Sequence, residues 1–81
     1  MTIDVLAFGI VREIVSSNSV AVQADDSVIT VAALKAHLEA EYPRLKELAS
    51  YMIAVNGIYA AADTVINNGD EVAVIPPVSG G

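Results

Sequence analysis

One strong helical segment, set among short apolar segments with the pattern of β-strands, restricts the folds open to this chain of 81 residues. Thr30 is placed to cap a helix, and Val31, Leu34 and Leu38 then recur with helical spacing. Pro43 ends the segment, because the residue before a proline avoids the helical conformation. A single main helix packed across a sheet is therefore the predicted arrangement.

Alternation predicts the strands of the first third of the chain. Residues 3–7 and residues 20–23 each place apolar side chains on one face, as strands with one buried side do. Gly9 breaks the first of these strands. Residues 10–15 then pair apolar side chains four positions apart, which predicts a short helix between the two strands.

Two turn sequences organise the second half of the chain. Asn56-Gly57, between two short apolar segments, predicts a hairpin, because both residue types tolerate positive φ. Residues 67–70 predict a tight turn that leads into the last strand, residues 71–75. Together the elements form an α+β pattern with one main helix. They predict a ubiquitin-like β-grasp: a mixed sheet packed on that helix, with a flexible C-terminal Gly-Gly tail.

Composition excludes several classes of function. With no cysteine and a single histidine, the chain is a poor candidate for a zinc site. Four Lys and Arg against ten Asp and Glu give a formal net charge of −6, which disfavours binding to nucleic acid or anionic membranes. No apolar run approaches the roughly 18 residues of a membrane span, and no secretory signal is evident, so a cytoplasmic protein is expected. The acidity either steers the chain to basic partners or only keeps an apolar domain soluble.

Side chains that could support catalysis are not combined into a recognisable site. His37 lies among charged residues of the main helix, which indicates solvent exposure, and no serine has an evident histidine partner. Asp25-Asp26 lies in a predicted polar loop without further ligands nearby, which is a weak metal signal, and on a strand the two side chains would point to opposite faces. Arg12 and Glu13 fit either a surface ion pair or a docking contact. We therefore predict that the chain is not an enzyme by itself and binds no metal or cofactor.

The C-terminal sequence is chemically the most unusual part of the chain. Pro76-Pro77 ends the last strand and holds its exit extended, and the four residues that follow could reach about 13 Å at roughly 3.3 Å each. Gly80 and Gly81 lack a Cβ and can enter a slot too narrow for other residues. We predict a folded domain over residues 1–77 and a flexible reactive tail over residues 78–81. A frayed, inert end is the alternative.

The carboxylate of Gly81 is the predicted reactive group. A carboxylate is a poor electrophile at neutral pH, so reaction requires prior activation, most simply as an acyl-adenylate made from ATP. The activated carbonyl can then accept sulfur, which gives a thiocarboxylate, or an amine, which gives an isopeptide bond.

Five segments of the sequence carry a resemblance to a known family. They are Leu6 to Glu13, Thr30-Val31 with Leu34, Val55 to Gly57, Asn68 to Ala73, and Pro76 to Gly81. Across essentially its whole length the chain resembles the small subunits of molybdopterin synthase, and the ending Pro-Pro-Val-Ser-Gly-Gly is the most specific part. The chain departs from the family at Gly9-Ile10, where a polar residue often precedes the Val-Arg-Glu stretch.

The resemblance implies a sulfur carrier within a heterotetramer. An E1-like enzyme would adenylate Gly81 with ATP, and a sulfur-donor protein would convert it to a thiocarboxylate. The chain would then dock on the large subunit of molybdopterin synthase and thread Val78, Ser79 and Gly80 into its active site. There it would give sulfur to cyclic pyranopterin monophosphate, building the dithiolene of molybdopterin. The residues expected at the docking surfaces are Phe8, Arg12, Val74, Ile75, Pro76 and Pro77.

Two other uses of a Gly-Gly tail stay open. A sulfur carrier for thiamine thiazole synthesis would form the same thiocarboxylate but serve a different acceptor enzyme. A ubiquitin-like modifier would be conjugated through Gly81 to lysines of other proteins. The Pro-Pro-Val-Ser sequence and the length of the chain favour the molybdopterin synthase subunit over the thiazole carrier.

Overall fold

The computed structural model describes residues 1–25, 28–48 and 50–77, and within them the chain forms two α-helices, a 3₁₀ helix and seven strands. In chain order these are β1 (Thr2–Ala7), α1 (Gly9–Val15), β2 (Ser19–Gln23), β3 (Val28–Thr30), α2 (Val31–Glu41), the 3₁₀ helix (Pro43–Glu47), β4 (Met52–Val55), β5 (Ile58–Tyr59), β6 (Val65–Asn67) and β7 (Val72–Ile75).

Five strands form one mixed sheet in the order β2-β1-β7-β4-β5. The first and last strands, β1 and β7, are parallel neighbours at its centre, with Val5 opposite Val72. The remaining neighbours in this sheet are antiparallel. This topology, with one main helix across the sheet, confirms the predicted β-grasp.

Helix α2 begins and ends where the sequence predicts. The Thr30 side chain accepts a hydrogen bond from the backbone N–H of Ala33 at 3.2 Å, as an N-cap residue does. Leu34 and Leu38 are buried on the face toward the sheet. After Glu41 the chain tightens into the 3₁₀ helix, which buries Leu45.

The core lies between α2 and the sheet. Strands β1 and β7 supply its central layer through alternate residues, which are Ile3, Val5, Ala7, Val72 and Val74. Fully burying one such valine or isoleucine contributes about 1.5–3 kcal/mol. No polar or charged residue of the described ranges is buried, so the core is held by apolar packing.

A second, two-stranded sheet was not predicted. Strands β3 and β6 pair antiparallel, with Ile29 opposite Ile66, and Val31 N–H donates to the carbonyl of Thr64 at 2.9 Å at the start of α2. Each strand has three residues, too few to show the alternation by which a strand is recognised in sequence.

The predicted hairpin is confirmed. Asn56 and Gly57 join β4 to β5 with φ values of 53° and 82°, the positive angles of a type I′ turn.

The longest helix in the described part of the chain, α2, has 11 residues, and none there is long and apolar enough to cross a membrane.

Candidate functional site: an apolar sheet face at the base of the tail

The face of the sheet opposite α2 carries a row of apolar side chains. Alternation along β1 turns Leu6 away from the core, and the strand register places it beside Ala73 of β7. Ala73 lies opposite Ala54 of β4, which in turn lies opposite Tyr59 of β5. A continuous apolar row therefore crosses four strands on this face.

A second row lies next to the first, at the end of β7 from which the tail leaves. Ile75, the last residue of β7, is opposite Met52 of β4. On the other side Ala7 is opposite Val74, so Phe8, which continues in an extended conformation, follows beside Ile75. Phe8 is 43% exposed and Met52 is 45% exposed. We call the surface formed by Leu6, Phe8, Met52, Tyr59 and Ile75 the apolar patch.

Large apolar side chains are uncommon on a free surface in such a contiguous arrangement, so the apolar patch is a candidate site of protein contact. Strand β7 ends inside the patch, and Pro76 and Pro77 follow it directly, both half-buried. A partner that covers the patch therefore also receives the beginning of the tail.

The direction in which the chain leaves β7 is influenced by a close contact between Gly9 and Pro76. Gly9 has a φ of 54°, and a Cβ built on it would lie 3.1 Å from Cγ of Pro76. A glycine at this position gives room for the proline ring and accepts the left-handed backbone. The start of α1 and the base of the tail are thus packed against each other.

Arg12 lies beside this region on an exposed face of α1. It lines an open groove together with Ile10, Glu13 and Ser16. Within residues 1–25, 28–48 and 50–77, Nε2 of His37 lies 3.9 Å from Oε1 of Glu41, and no salt bridge joins Arg12 to Glu13. Of the two alternatives for Arg12, the ion pair with Glu13 is not formed, and the docking contact stays a prediction.

Val74 does not belong to the docking surface, and that expectation was wrong. It is 2% exposed and points into the core toward α2, because successive residues of a strand face opposite sides of the sheet. Ile75 is the residue of β7 that faces the patch.

The tail residues predicted to carry the chemistry lie outside the described residues. These are Val78, Ser79, Gly80 and Gly81, and the described chain reaches Pro77. Asp26 of the Asp25-Asp26 pair is also outside. In the described ranges no group of three or more His, Asp or Glu side chains could hold a metal ion.

Sequence reasoning missed a cluster around Tyr51, on the side of the molecule formed by α2. The Tyr51 hydroxyl donates a hydrogen bond to Glu39, and Nζ of Lys35 lies 4.5 Å from the centre of the tyrosine ring. Burial, followed by the hydrogen bond and charge of Glu39, raises the pKa of Tyr51, so the phenol stays protonated. The i, i+4 spacing of Lys35 and Glu39, which places both side chains on one face of the helix, was the sequence signal from which this cluster could have been predicted. The cluster ties α2 to the start of β4.

Comparison with known proteins covers both the folded domain and the tail. The model of the ThiS family matches residues 5–81. The molybdopterin synthase sulfur carrier subunit of Escherichia coli (strain K12) is 40% identical over 82 residues, covering 98% of this chain and 99% of that protein.

Solved structures agree with the fold. SAMP1 from Haloferax volcanii superposes with a TM-score of 0.83 at 28% identity, with 100% of both chains covered. A protein–protein complex of subunits 1 and 2 of molybdopterin-converting factor from Helicobacter pylori 26695 contains a chain with a TM-score of 0.67 at 26% identity, again with 100% of both chains covered.

Proposed function

Because this chain belongs to the ThiS family, we propose that it is the sulfur-carrier subunit of a molybdopterin synthase. The observation that carries the proposal is the apolar patch, placed where β7 passes into Pro76-Pro77 and the Gly-Gly ending. The similarity to the Escherichia coli sulfur carrier subunit, which extends over 98% of this chain, supports the same function.

The reactive group of the cycle is the carboxylate of Gly81. It attacks the α-phosphorus of ATP on an E1-like activating enzyme, releasing pyrophosphate and leaving an acyl-adenylate. The terminal sulfur of a persulfide on a donor protein then attacks the acyl carbonyl and displaces AMP, and a second thiol breaks the new S–S bond as a disulfide forms on the donor, which leaves a thiocarboxylate on Gly81. On the large subunit of molybdopterin synthase this sulfur passes to cyclic pyranopterin monophosphate, and two such transfers build the dithiolene of molybdopterin.

The folded domain, residues 1–77, binds the partner proteins, and residues 78–81 carry the reactive group. We assign docking to Phe8 and Ile75 of the apolar patch, with Arg12 and the two prolines at its border. The Helicobacter pylori complex of the two converting-factor subunits supports a large subunit as the partner. A heterotetramer, with a small subunit at each end of a large-subunit dimer, is the proposed assembly.

The chain contributes a sulfur donor and no catalytic machinery of its own. Adenylation, sulfur loading and sulfur insertion all take place on partner proteins, so the chain itself binds no cofactor and ATP binds to the activating enzyme. Since adenylation consumes ATP, the cytoplasm is the proposed compartment.

A second candidate is a modifier joined through Gly81 to lysines, and it is favoured by the likeness to Haloferax volcanii SAMP1, a protein also known as small archaeal modifier protein 1. Its chemistry diverges only after adenylation, because an amine takes the place of sulfur. The thiazole-synthesis carrier shares the thiocarboxylate, and the name of the matching relative from Escherichia coli favours the molybdopterin pathway instead.

The test is the intact mass of the chain after incubation with activating enzyme, ATP and a sulfur donor. We expect the mass increase of sulfur replacing one oxygen in the parent chain and no change in a variant that lacks Gly81. Both proteins should have the same circular dichroism spectrum, since the buried core of the described chain is formed by residues between Ile3 and Val74. Loaded chain, mixed with large subunit and cyclic pyranopterin monophosphate, should then yield molybdopterin.

Different failures of this experiment have different meanings. Absence of the sulfur adduct, with an activating enzyme that demonstrably turns over ATP on Gly81, would refute the carrier function. Isopeptide adducts in its place would identify a modifier. A sulfur-loaded chain that supports thiazole synthesis and no molybdopterin would identify the other carrier pathway.

A further inference from the structure

The chain contains two Asn-Gly pairs, each in a turn whose glycine has a positive φ; the turns differ at the asparagine, since Asn56 has a positive φ and Asn68 does not. Asn56-Gly57 joins β4 to β5, and Asn68-Gly69 joins β6 to β7. Gly57 has a φ of 82° and Gly69 a φ of 90°, and a Cβ built on either would meet no atom within 4 Å. Each pair therefore has an open, unhindered backbone on its glycine side.

The side-chain amide of Asn56 is held at both of its polar atoms. Its Nδ2 donates to Oδ1 of Asp70 at 3.1 Å, and its Oδ1 accepts from the backbone N–H of Glu71 at 2.9 Å. The backbone N–H of Asn56 also donates to the carbonyl of Glu71 at 2.7 Å. Rotating this amide would break contacts that join two separate turns.

The amide of Asn68 has no such restraint. The residue is exposed, and within the described ranges its side chain makes no hydrogen bond. Its neighbours Asn67 and Asp70 are bonded to each other across the turn, which leaves Asn68 at the tip. An asparagine amide with free rotation at a loop tip can sample geometries that a bonded one cannot.

We propose that Asn68 is a site of spontaneous deamidation and that Asn56 is protected from the same reaction by its hydrogen bonds. The backbone nitrogen of Gly69 loses its proton to solvent and attacks Cγ of Asn68, forming a five-membered succinimide. The Cγ–Nδ2 bond breaks, and Nδ2 takes up a proton and leaves as ammonia. Water then opens the ring at one of its two carbonyls, giving aspartate or isoaspartate without any oxidant or cofactor.

The modification changes the turn that leads into β7. It adds one negative charge to a chain that already carries −6. The isoaspartate product also inserts a methylene into the main chain between Asn67 and Asp70, whose backbone and carboxylate bonds span this turn at 3.1 Å and 2.8 Å. We therefore expect the isoaspartate form to melt at a lower temperature than the parent.

The experiment follows both asparagines in the intact folded chain. Protein is incubated at mildly alkaline pH, sampled over days, digested and mapped by mass spectrometry, with isoaspartate counted by enzymatic methylation with labelled methyl donor. We expect acid forms to accumulate at residue 68 at least tenfold faster than at residue 56. In denaturant, where the hydrogen bonds of Asn56 are absent, the two rates should come together.

Two variants test whether the hydrogen bonds of Asn56 are the reason for its slower deamidation. Asn68→Gln should remove the products at residue 68 without changing residue 56, because the longer side chain forms a six-membered ring far more slowly. Asp70→Ala releases Nδ2 of Asn56 and should accelerate the reaction at residue 56, in protein shown to be folded by circular dichroism. Equal rates at the two sites in the folded parent would overturn the proposal. So would an unchanged Asn68 under conditions that convert it in the denatured chain.

Discussion

At the scale of single residues, Asp70 connects two turns through one carboxylate. Its Oδ2 accepts from the backbone N–H of Asn67 at 2.8 Å, and its Oδ1 accepts from Asn56 at 3.1 Å. The bond from Asn67, and then that from Asn56, holds the pKa of Asp70 below its ordinary value of 3.8, because both donors stabilise the ionised form. The ionised carboxylate of Asp70 thus stabilises the turn that leads into β7.

This coupling predicts how stability depends on pH. Because the pKa is lower in the folded chain, the stabilisation is present above pH 3.8 and is lost as the pH falls through the folded value. We expect Asp70→Asn to lower the thermal midpoint at neutral pH. The difference from the parent should shrink as the pH is lowered below 3.8 in a series of melting curves.

Asp63→Asn is the matched control for this prediction. Asp63 is exposed, and within the described ranges its side chain makes no hydrogen bond, so the substitution removes the same charge without breaking a turn contact. A difference between Asp70→Asn and the parent that stays constant at every pH would contradict the role of the ionised carboxylate.

At the scale of elements, strand β7 serves the core and the partner surface with alternate residues. Val74 fills the core toward α2, whereas Ile75 joins Phe8 and Met52 on the open face. The strand is central in its sheet, so its position is fixed on both sides by neighbouring strands. The apolar patch is therefore preformed, and a partner need not order it on binding.

This arrangement predicts that Phe8→Glu weakens binding to the large subunit without unfolding the chain. A charge placed at the centre of an apolar contact should cost at least about 1.4 kcal/mol, or tenfold in affinity. Since Phe8 is 43% exposed, we expect little change in the thermal midpoint. Isothermal calorimetry with purified large subunit measures the affinity.

Val65→Glu supplies the control for surface hydrophobicity. Val65 is 48% exposed but lies on β6, outside the five-stranded sheet. It should bind the large subunit as the parent does. Normal affinity in Phe8→Glu, or an equal loss in both variants, would show that the apolar patch is not the docking surface.

The sequence predicted those elements whose signals are local. Thr30 and Pro43 mark the ends of α2, and Asn56-Gly57 marks the hairpin, since capping, proline geometry and positive φ act within a few residues. Strands β3 and β6 were missed because three residues cannot display a period. The choice between Val74 and Ile75 needed the sheet itself, since alternation shows that they face opposite sides without showing which side α2 covers.

At the scale of the whole molecule, the net charge of −6 acts over longer distances than any contact of the patch. If acidity steers the chain to a basic large subunit, the association rate constant should fall as salt is raised through the physiological range, where the screening length is about 8 Å. The dissociation rate constant should change much less. Stopped-flow fluorescence at several salt concentrations measures both rates. An association rate constant that does not change with salt concentration would show that the acidity only keeps the domain soluble.

The parallel pairing of β1 with β7 bears on how a partner protein could distinguish a folded chain from an unfolded one. The patch is assembled from residues of β1 and the position after it, the start of β4, the end of β5 and the end of β7, and these segments are far apart in sequence. An unfolded chain has the same Gly-Gly ending but none of this surface. An activating enzyme that binds the patch would therefore use ATP only to adenylate folded chains. The folded sheet would thus report to the enzyme that the tail belongs to a correctly folded molecule.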